Sequence, residues 1–453
     1  MSHYTTLVSS FLFPVHERLK QHDTVVLRQH MEVVQWWPAE RLAALQLQRL
    51  RDFLQDVAVH VPYYKNLFAQ TGFDPARLQS LADLQDLPFL TKSAIRAHSD
   101  ALKHDQAQGL ARFTTGGSSG EPLAFFIGNK RVSHDVAAKW RATRWWGVDI
   151  GDPEIVVWGS PIELGKQDRL KQWRDKLLRT TLLPAFEMSE PKLDQFLTTI
   201  RRIRPRMLFG YPSALTHIAR HAKKRGVTMS DLGIKVAFVT SERLYDDQRH
   251  TISEVFGCPV ANGYGGRDAG FIAHECPSGG MHLTADDLVV EIVNDAGQVQ
   301  PPGVAGEIVV THMATSDFPF IRYRTGDIGV LGMAPCACGR SLPLLQSIEG
   351  RSTDFVVAAD GTVLHGLCLI YILRDLLGIK AFKVIQESSK LTRVLLVKDE
   401  DFPLDGVAKI INGFKQRLGA EVDVVVDLVD TIPAEKSGKF NYIVSHVAGT
   451  ARG

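Results

Sequence analysis

The sequence predicts an α/β protein: a large, layered α/β N-terminal domain with a small barrel-like subdomain, then a small, mobile α+β C-terminal domain. Three observations predict it. Between residues 111 and 350, short apolar runs alternate with helical segments, the pattern of helices laid on a sheet. Within that stretch Leu288 to Val293 and Gly306 to Thr311 alternate and are punctuated by Gly, as in a small antiparallel or barrel-like unit. After Gly350-Arg351-Ser352-Thr353-Asp354, read as a hinge, strands and helices mix over about one hundred residues, an ordinary domain size. At 453 residues the chain is too long for a single compact core.

In chain order, residues 1–110 are mostly helical in pattern. Arg41 to Val59 repeats Leu and Val at three- and four-residue steps, an amphipathic helix that Val61-Pro62-Tyr63-Tyr64 should break. Thr91, after Leu87-Pro88-Phe89-Leu90, is placed to cap a helix. Residues 111–350 form the core. There Ile155 to Trp158, Met207 to Phe209, Val236 to Val239 and Val260-Ala261 read as buried strands, with helices Leu193 to Ile203 and Ser213 to Arg225 between them. Residues 351–453 supply strand Asp354 to Val357, helix Leu367 to Leu377, strands Ala381 to Gln386 and Thr392 to Val397, helix Val407 to Leu418 and strand Glu421 to Leu428.

Hydrophobic content of 45%, 23% charged residues and a net charge of +2 describe a globular chain with no overall attraction to nucleic acid. Arg201-Arg202-Ile203-Arg204 and Lys223-Lys224-Arg225 read as solvated helix faces. The apolar run Leu7 to Val15 is too short to span a bilayer, is broken by Pro14, and has neither a basic leader nor a cleavage site. A cytoplasmic protein without an integral membrane segment is expected. Its sticky N-terminus should touch a partner, and a homodimer is also expected. Five cysteines make no disulfide framework in this length; Cys258 and Cys368 flank apolar segments as buried spacers. His16, His22, His30, His98 and His104 scatter over helical segments, and Trp36-Trp37 and Trp145-Trp146 read as packing.

Four polar motifs carry the chemistry. Phe113-Thr114-Thr115-Gly116-Gly117-Ser118-Ser119-Gly120-Glu121-Pro122 is a hydroxyl- and glycine-rich loop whose amides can wrap a polyphosphate. It precedes strand-like Leu123 to Ile127 and lacks the GxxxxGK[ST] pattern, so it is no Walker site; alone it could equally be a hairpin turn. Asn262-Gly263-Tyr264-Gly265-Gly266-Arg267-Asp268 and Arg322-Tyr323-Arg324-Thr325-Gly326-Asp327 each end in an Asp able to hold a ribose or a cation. Ser437-Gly438-Lys439 offers a late lysine for a leaving phosphate. In this order the four point to activation of a carboxylate by ATP.

On these segments, with Val61-Pro62-Tyr63-Tyr64, Leu87 to Arg96, Gly210-Tyr211-Pro212-Ser213, Thr240-Ser241-Glu242, Tyr264 to Cys276 and Pro319 to Ile328, the chain resembles the adenylate-forming superfamily. It is most similar to the phenylacetate–CoA ligase family, in the CapK-like branch tied to capsule and exopolysaccharide biosynthesis. The resemblance implies the adenylate-forming enzyme fold with a C-terminal lid. It implies phosphate contacts from Thr114, Thr115, Gly116, Gly117, Ser118, Ser119 and Gly120. Ser241, Glu242, Asn262, Gly263, Tyr264 and Gly265 would border adenine and the acyl phosphate. Asp327 would meet the ribose, Arg351 the ribose or a phosphate, and Asp268 would stand beside Mg²⁺. Arg267 and Lys439 would serve catalysis, with Lys436 a rival. Tyr211, Gly265 and Gly266 would meet the acid, with Trp158-Gly159-Ser160-Pro161 a further candidate. Glu121, Arg267 and Thr353 depart from the family pattern, at positions that bear on phosphate contacts and turnover.

Cys276-Pro277-Ser278-Gly279-Gly280-Met281-His282 followed by Cys336-Ala337-Cys338 offers three thiolates and an imidazole, the donor set of a closed, structural Zn²⁺ site. Unliganded loop cysteines are the alternative, and His274 could replace His282. The expected protein is an AMP-forming acid–thiol ligase using ATP, Mg²⁺ and a carboxylic acid, with CoA as the default acceptor. Transfer to a carrier-protein thiol or an amine is the first alternative. A catalytically quiet nucleotide- and zinc-binding scaffold is the second.

Overall fold

The computed structural model describes residues 2–107, 109–114, 123–158, 169–185, 188–350, 355–374, 376–432 and 443–447. Thr115 to Gly120, Glu121, Gly159 to Pro161, Arg351, Thr353, Lys436 and Lys439 lie outside them.

The N-terminal helices form because their apolar residues recur on one face. In Ala39–His60, Leu42, Leu50, Phe53, Leu54 and Val57 are buried together. That helix ends at Val61, driven extended by the following proline. The break lasts one residue only. Pro62, with no N–H to lose, opens a second helix, Pro62–Thr71, which Gly72 closes at φ 67°. Pro62, Tyr63 and Tyr64 are therefore helical. Thr91 caps Lys92–Ala97 as expected, accepting the Ala94 N–H at 3.1 Å.

Strands β1 (Ala111–Thr114) and β2 (Ala124–Ile127) pair antiparallel, so the Gly- and Ser-rich motif lies in sequence between two paired strands. The central sheet runs in the order β4 (Thr180–Pro184), β3 (Glu154–Trp158), β5 (Met207–Gly210), β6 (Val236–Thr240), β7 (Val260–Gly266), β8 (Gly270–Glu275) and β9 (Met281–Leu283). Its first five strands are parallel, and β8 and β9 extend it antiparallel. Ile155, Val157, Leu208, Ala237 and Val239 face a core with helices Glu190–Ile203 and Pro212–Lys224. Met207, Phe209, Val236 and Phe238 face the other side, toward helix Asn129–Trp145. A sheet buried on both faces needs continuous apolar runs, and those are the runs seen in the sequence.

The Gly-punctuated unit is an antiparallel sheet in the order β10 (Leu288–Val293), β11 (Ala305–His312), β12 (Phe320–Leu331) and β13 (Leu345–Gly350), packed on the N-terminal helices. From Phe355 on, the chain builds a second mixed sheet around its own core of Val356, Leu369, Phe382, Val394, Leu396, Ile410 and Phe414. Arg220 donates to Thr362 Oγ1 across to this unit. Among the described residues no helix is long and apolar enough to cross a membrane.

Candidate functional site

In a parallel sheet the C-terminal strand ends gather ligand-binding loops, because helix N-termini and free backbone groups meet there. Trp158 ends β3 and Tyr211 follows β5; their rings stack at 4.4 Å and 22°. Ser241, just after β6, holds φ at 71°, a left-handed conformation costly for a residue with a side chain. The strain turns Glu242 back to accept the Ser213 N–H at 3.2 Å, in the first turn of Pro212–Lys224. Burial raises the Glu242 pKa, and the Ser213 donors offset part of that rise.

Strand β7 carries Asn262 to Gly266. The Asn262 N–H donates to Glu275 at 2.8 Å, and Glu275 pairs with Arg249 at 2.9 Å, which fixes the strand against β8. Gly265 must lack a side chain, since a Cβ would lie 2.1 Å from the Gly270 carbonyl oxygen. The Tyr264 hydroxyl leaves the sheet and donates to Asp327 at 2.9 Å. Burial, and then the Asp327 charge, hold the Tyr264 pKa far above the usual phenol value, so it stays a donor. Asp327 itself sits within β12 at a bulge opposite β11, where Gly326 takes φ 83° and the Thr325 hydroxyl accepts the Asp327 N–H at 3.1 Å and donates to the Ile308 carbonyl at 2.8 Å.

A second tyrosine makes the matching bond. Tyr323, fully buried, donates to Asp268 at 2.6 Å. Arg267 donates to the Thr114 carbonyl at 3.3 Å, joining this turn to the end of β1, where the Thr114–Gly120 motif begins. The structure therefore brings Thr114, Tyr264, Arg267, Asp268 and Asp327 together from separate strands and the turn after β7. Arg322 of the same motif is structural. It pairs twice with Glu291 at 3.0 Å and donates to the Leu87 carbonyl at 2.6 Å, tying down the 87–90 loop.

Sequence reading missed the support under the turn. Arg131, only 2% exposed, donates to the carbonyls of Asp268 at 3.2 Å and Arg267 at 3.4 Å, and pairs with Asp135 at 2.9 Å. His134 and His312 flank Asp135 at 3.6 and 3.9 Å. Gly270, at φ 80°, leaves room for this group: a Cβ there would meet Arg131 and His312 at 2.8 Å. No local pattern announces it, because the partners arrive from separate elements.

The cysteine cluster is assembled as expected. Ligand atoms of Cys276, His282, Cys336 and Cys338 all lie within 4.8 Å of one another. Cys276 and Cys336 sulfurs are 3.6 Å apart, close to the ~3.8 Å that two thiolates span on a tetrahedral Zn²⁺. His282 Nδ1 faces the Leu342 carbonyl at 3.2 Å, so the proton belongs there and Nε2, 3.2 Å from Cys338 Sγ, is left as a lone-pair donor. Burial holds the His282 pKa down at about 4, which keeps the ring neutral. Burial pushes Cys276 up to about 11; at Cys338 burial acts the same way, but N–H donors of Arg340 outweigh it and lower the pKa. His274 is not the fourth donor: it stacks on Phe271 at 5.3 Å, outside the cluster. Trp145 packs edge-on to His282 at 5.6 Å, the packing role expected of that pair.

Two family models match this chain: "AMP-binding enzyme" over residues 179–316 and "CapK C-terminal domain" over residues 356–446. The chain is 23% identical to Protein CapK of Staphylococcus aureus over 410 residues, covering 90% of each. It is 27% identical to a phenylacetate-coenzyme A ligase of Thermus thermophilus over 329 residues, 71% of this chain and 72% of that one. Among solved structures it is similar to a 2-hydroxyisobutyryl-CoA ligase in complex with 2-HIB-AMP and CoA, with a TM-score of 0.65, 20% identity and 91% of each chain covered. The same ligase in its postadenylation state gives a TM-score of 0.60 at 21% identity, over 91% of this chain and 90% of that one. These likenesses show a shared fold.

Proposed function

Because this chain belongs to the adenylate-forming superfamily, in its phenylacetate–CoA ligase-like CapK branch, we propose that it is an ATP-dependent, AMP-forming carboxylic acid ligase. One observation carries the reading: two tyrosines from different sheets each hold a carboxylate, Asp327 and Asp268, in one site that Arg267 joins to the end of β1.

In this reading Asp327 accepts hydrogen bonds from the ribose hydroxyls, and Arg351 contacts the ribose or a phosphate. Asp268 stands where a Mg²⁺ on the phosphates would be held; its second oxygen, which accepts the Ala269 N–H at 3.1 Å, suits a hard cation. Carboxylate oxygen attacks the α-phosphorus, pyrophosphate leaves, and Lys439 neutralises the developing charge. The C-terminal unit then turns about the 350–354 segment, and a thiol attacks the acyl carbon with AMP as leaving group. CoA is the proposed acceptor, and the stacked Trp158–Tyr211 pair borders the acid. The Cys276, His282, Cys336 and Cys338 cluster is proposed to hold a structural zinc, since its four donors leave no open position.

An ATP–pyrophosphate exchange screen over aryl, fatty and amino acids tests this. Exchange dependent on one acid class supports it, and no exchange with any acid overturns it. A product assay with CoA, carrier protein and amines then identifies the acceptor.

A further inference from the structure

We propose that the N-terminal helical arm, together with helix Arg169–Leu177, docks on an anionic lipid bilayer. From His3 to Leu19 the chain is continuously helical, with a π turn at Val8–Leu12. Thr5, Val8, Phe13 and Glu17 are buried, while Tyr4, Leu7, Phe11, Val15 and Leu19 are exposed at steps of three or four residues. Phe11 is 60% and Leu19 81% exposed. An apolar stripe of that length bare to water marks an interaction surface.

The arm is fixed rather than loose. Thr5 donates to Asp152 at 2.8 Å, and Tyr4 donates to the Leu177 carbonyl at 2.7 Å. The second bond brings the stripe beside Leu177 and Trp173, the latter 74% exposed.

Charge selects the partner. Arg18, Lys20, Lys176 and Arg179 are exposed around the stripe. Glu17, the one carboxylate between Ser2 and His22, is 4% exposed and bonded to His16 and His22 at 2.9 and 3.1 Å. Asp175 is paired with Arg174 at 2.6 Å. An apolar face with an exposed Trp and a rim of exposed cations suits the headgroup layer of an anionic membrane. A second copy fits less well, because a twofold contact would set the same cations against one another.

Co-sedimentation of the full chain with phosphatidylcholine vesicles, with and without phosphatidylglycerol, tests the proposal. Binding is expected to the anionic vesicles only, to fall with added salt, and to be lost in Phe11→Asp/Leu19→Glu. Lys20→Glu and Lys176→Glu should each weaken partitioning by roughly fivefold or more. Each variant should keep the wild-type melting temperature, which shows that the arm still folds. Three results would overturn the proposal. One is no sedimentation with either vesicle, and another is variants that bind as wild type does. The third is a dimer by light scattering that Phe11→Asp/Leu19→Glu splits, which makes the face a contact between copies.

Discussion

Tyr264 and Tyr323 each give a hydroxyl to a carboxylate, at 2.9 and 2.6 Å, and in the proposed site both bonds orient acceptors for the nucleotide. A hydrogen bond to a charged group is worth about 1.5–3 kcal/mol. Tyr264→Phe is therefore expected to raise KM for ATP by roughly tenfold, with a smaller change in kcat, in the exchange assay. Two buried histidines make a separate prediction. Burial is the first cause that lowers both His274 and His312 to about 3, against an ordinary value of 6.5. The unfolded chain thus binds protons the folded one refuses. Stability is full above the unfolded value and declines as pH falls from 6.5 toward about 3. Each histidine should cost about 1.4 kcal/mol per pH unit in that window. Urea midpoints at neutral and mildly acid pH should show the loss, and His274→Gln should make it shallower.

At the scale of elements, the cysteine cluster joins the β8–β9 hairpin to the loop after β12. Metal analysis of the purified protein is expected to give one zinc per chain. Cys336→Ala/Cys338→Ala should lose that zinc and lower the melting temperature, since such sites contribute on the order of 10 kcal/mol of apparent free energy. An unchanged melting temperature would mean that the loops hold without metal. This cluster was legible in the sequence because few residue types ligate zinc and because Cys276 with His282, and Cys336 with Cys338, are each closely spaced, although the two pairs lie far apart in the chain. Buried strands such as Val236–Thr240 were legible as apolar runs. Pro62 was legible as the end of one helix but not as the start of the next. The Arg131–Asp135–His312 support was not legible. His134 and Asp135 look like any polar pair on a helix until β11 delivers His312. Nor could the motif Arg322-Tyr323-Arg324 reveal its division of labour. Register, together with the irregularity at Arg322 (φ 49°), decides that Tyr323 reaches Asp268 while Arg322 turns inward to Glu291.

For the whole molecule, the proposed reaction needs the C-terminal unit to deliver Lys439 to the nucleotide. Lys439→Ala should abolish exchange while leaving melting unchanged; exchange that survives while thioester formation fails would assign the first step to another cation, Lys436 foremost. The central claim is that one nucleotide is joined to one organic acid. Mass spectrometry of the products from protein, ATP, Mg²⁺ and an acid panel tests it most directly. The expected products are an acyl-AMP and pyrophosphate, whereas ADP and phosphate, or ATP left intact with every acid, would contradict the claim.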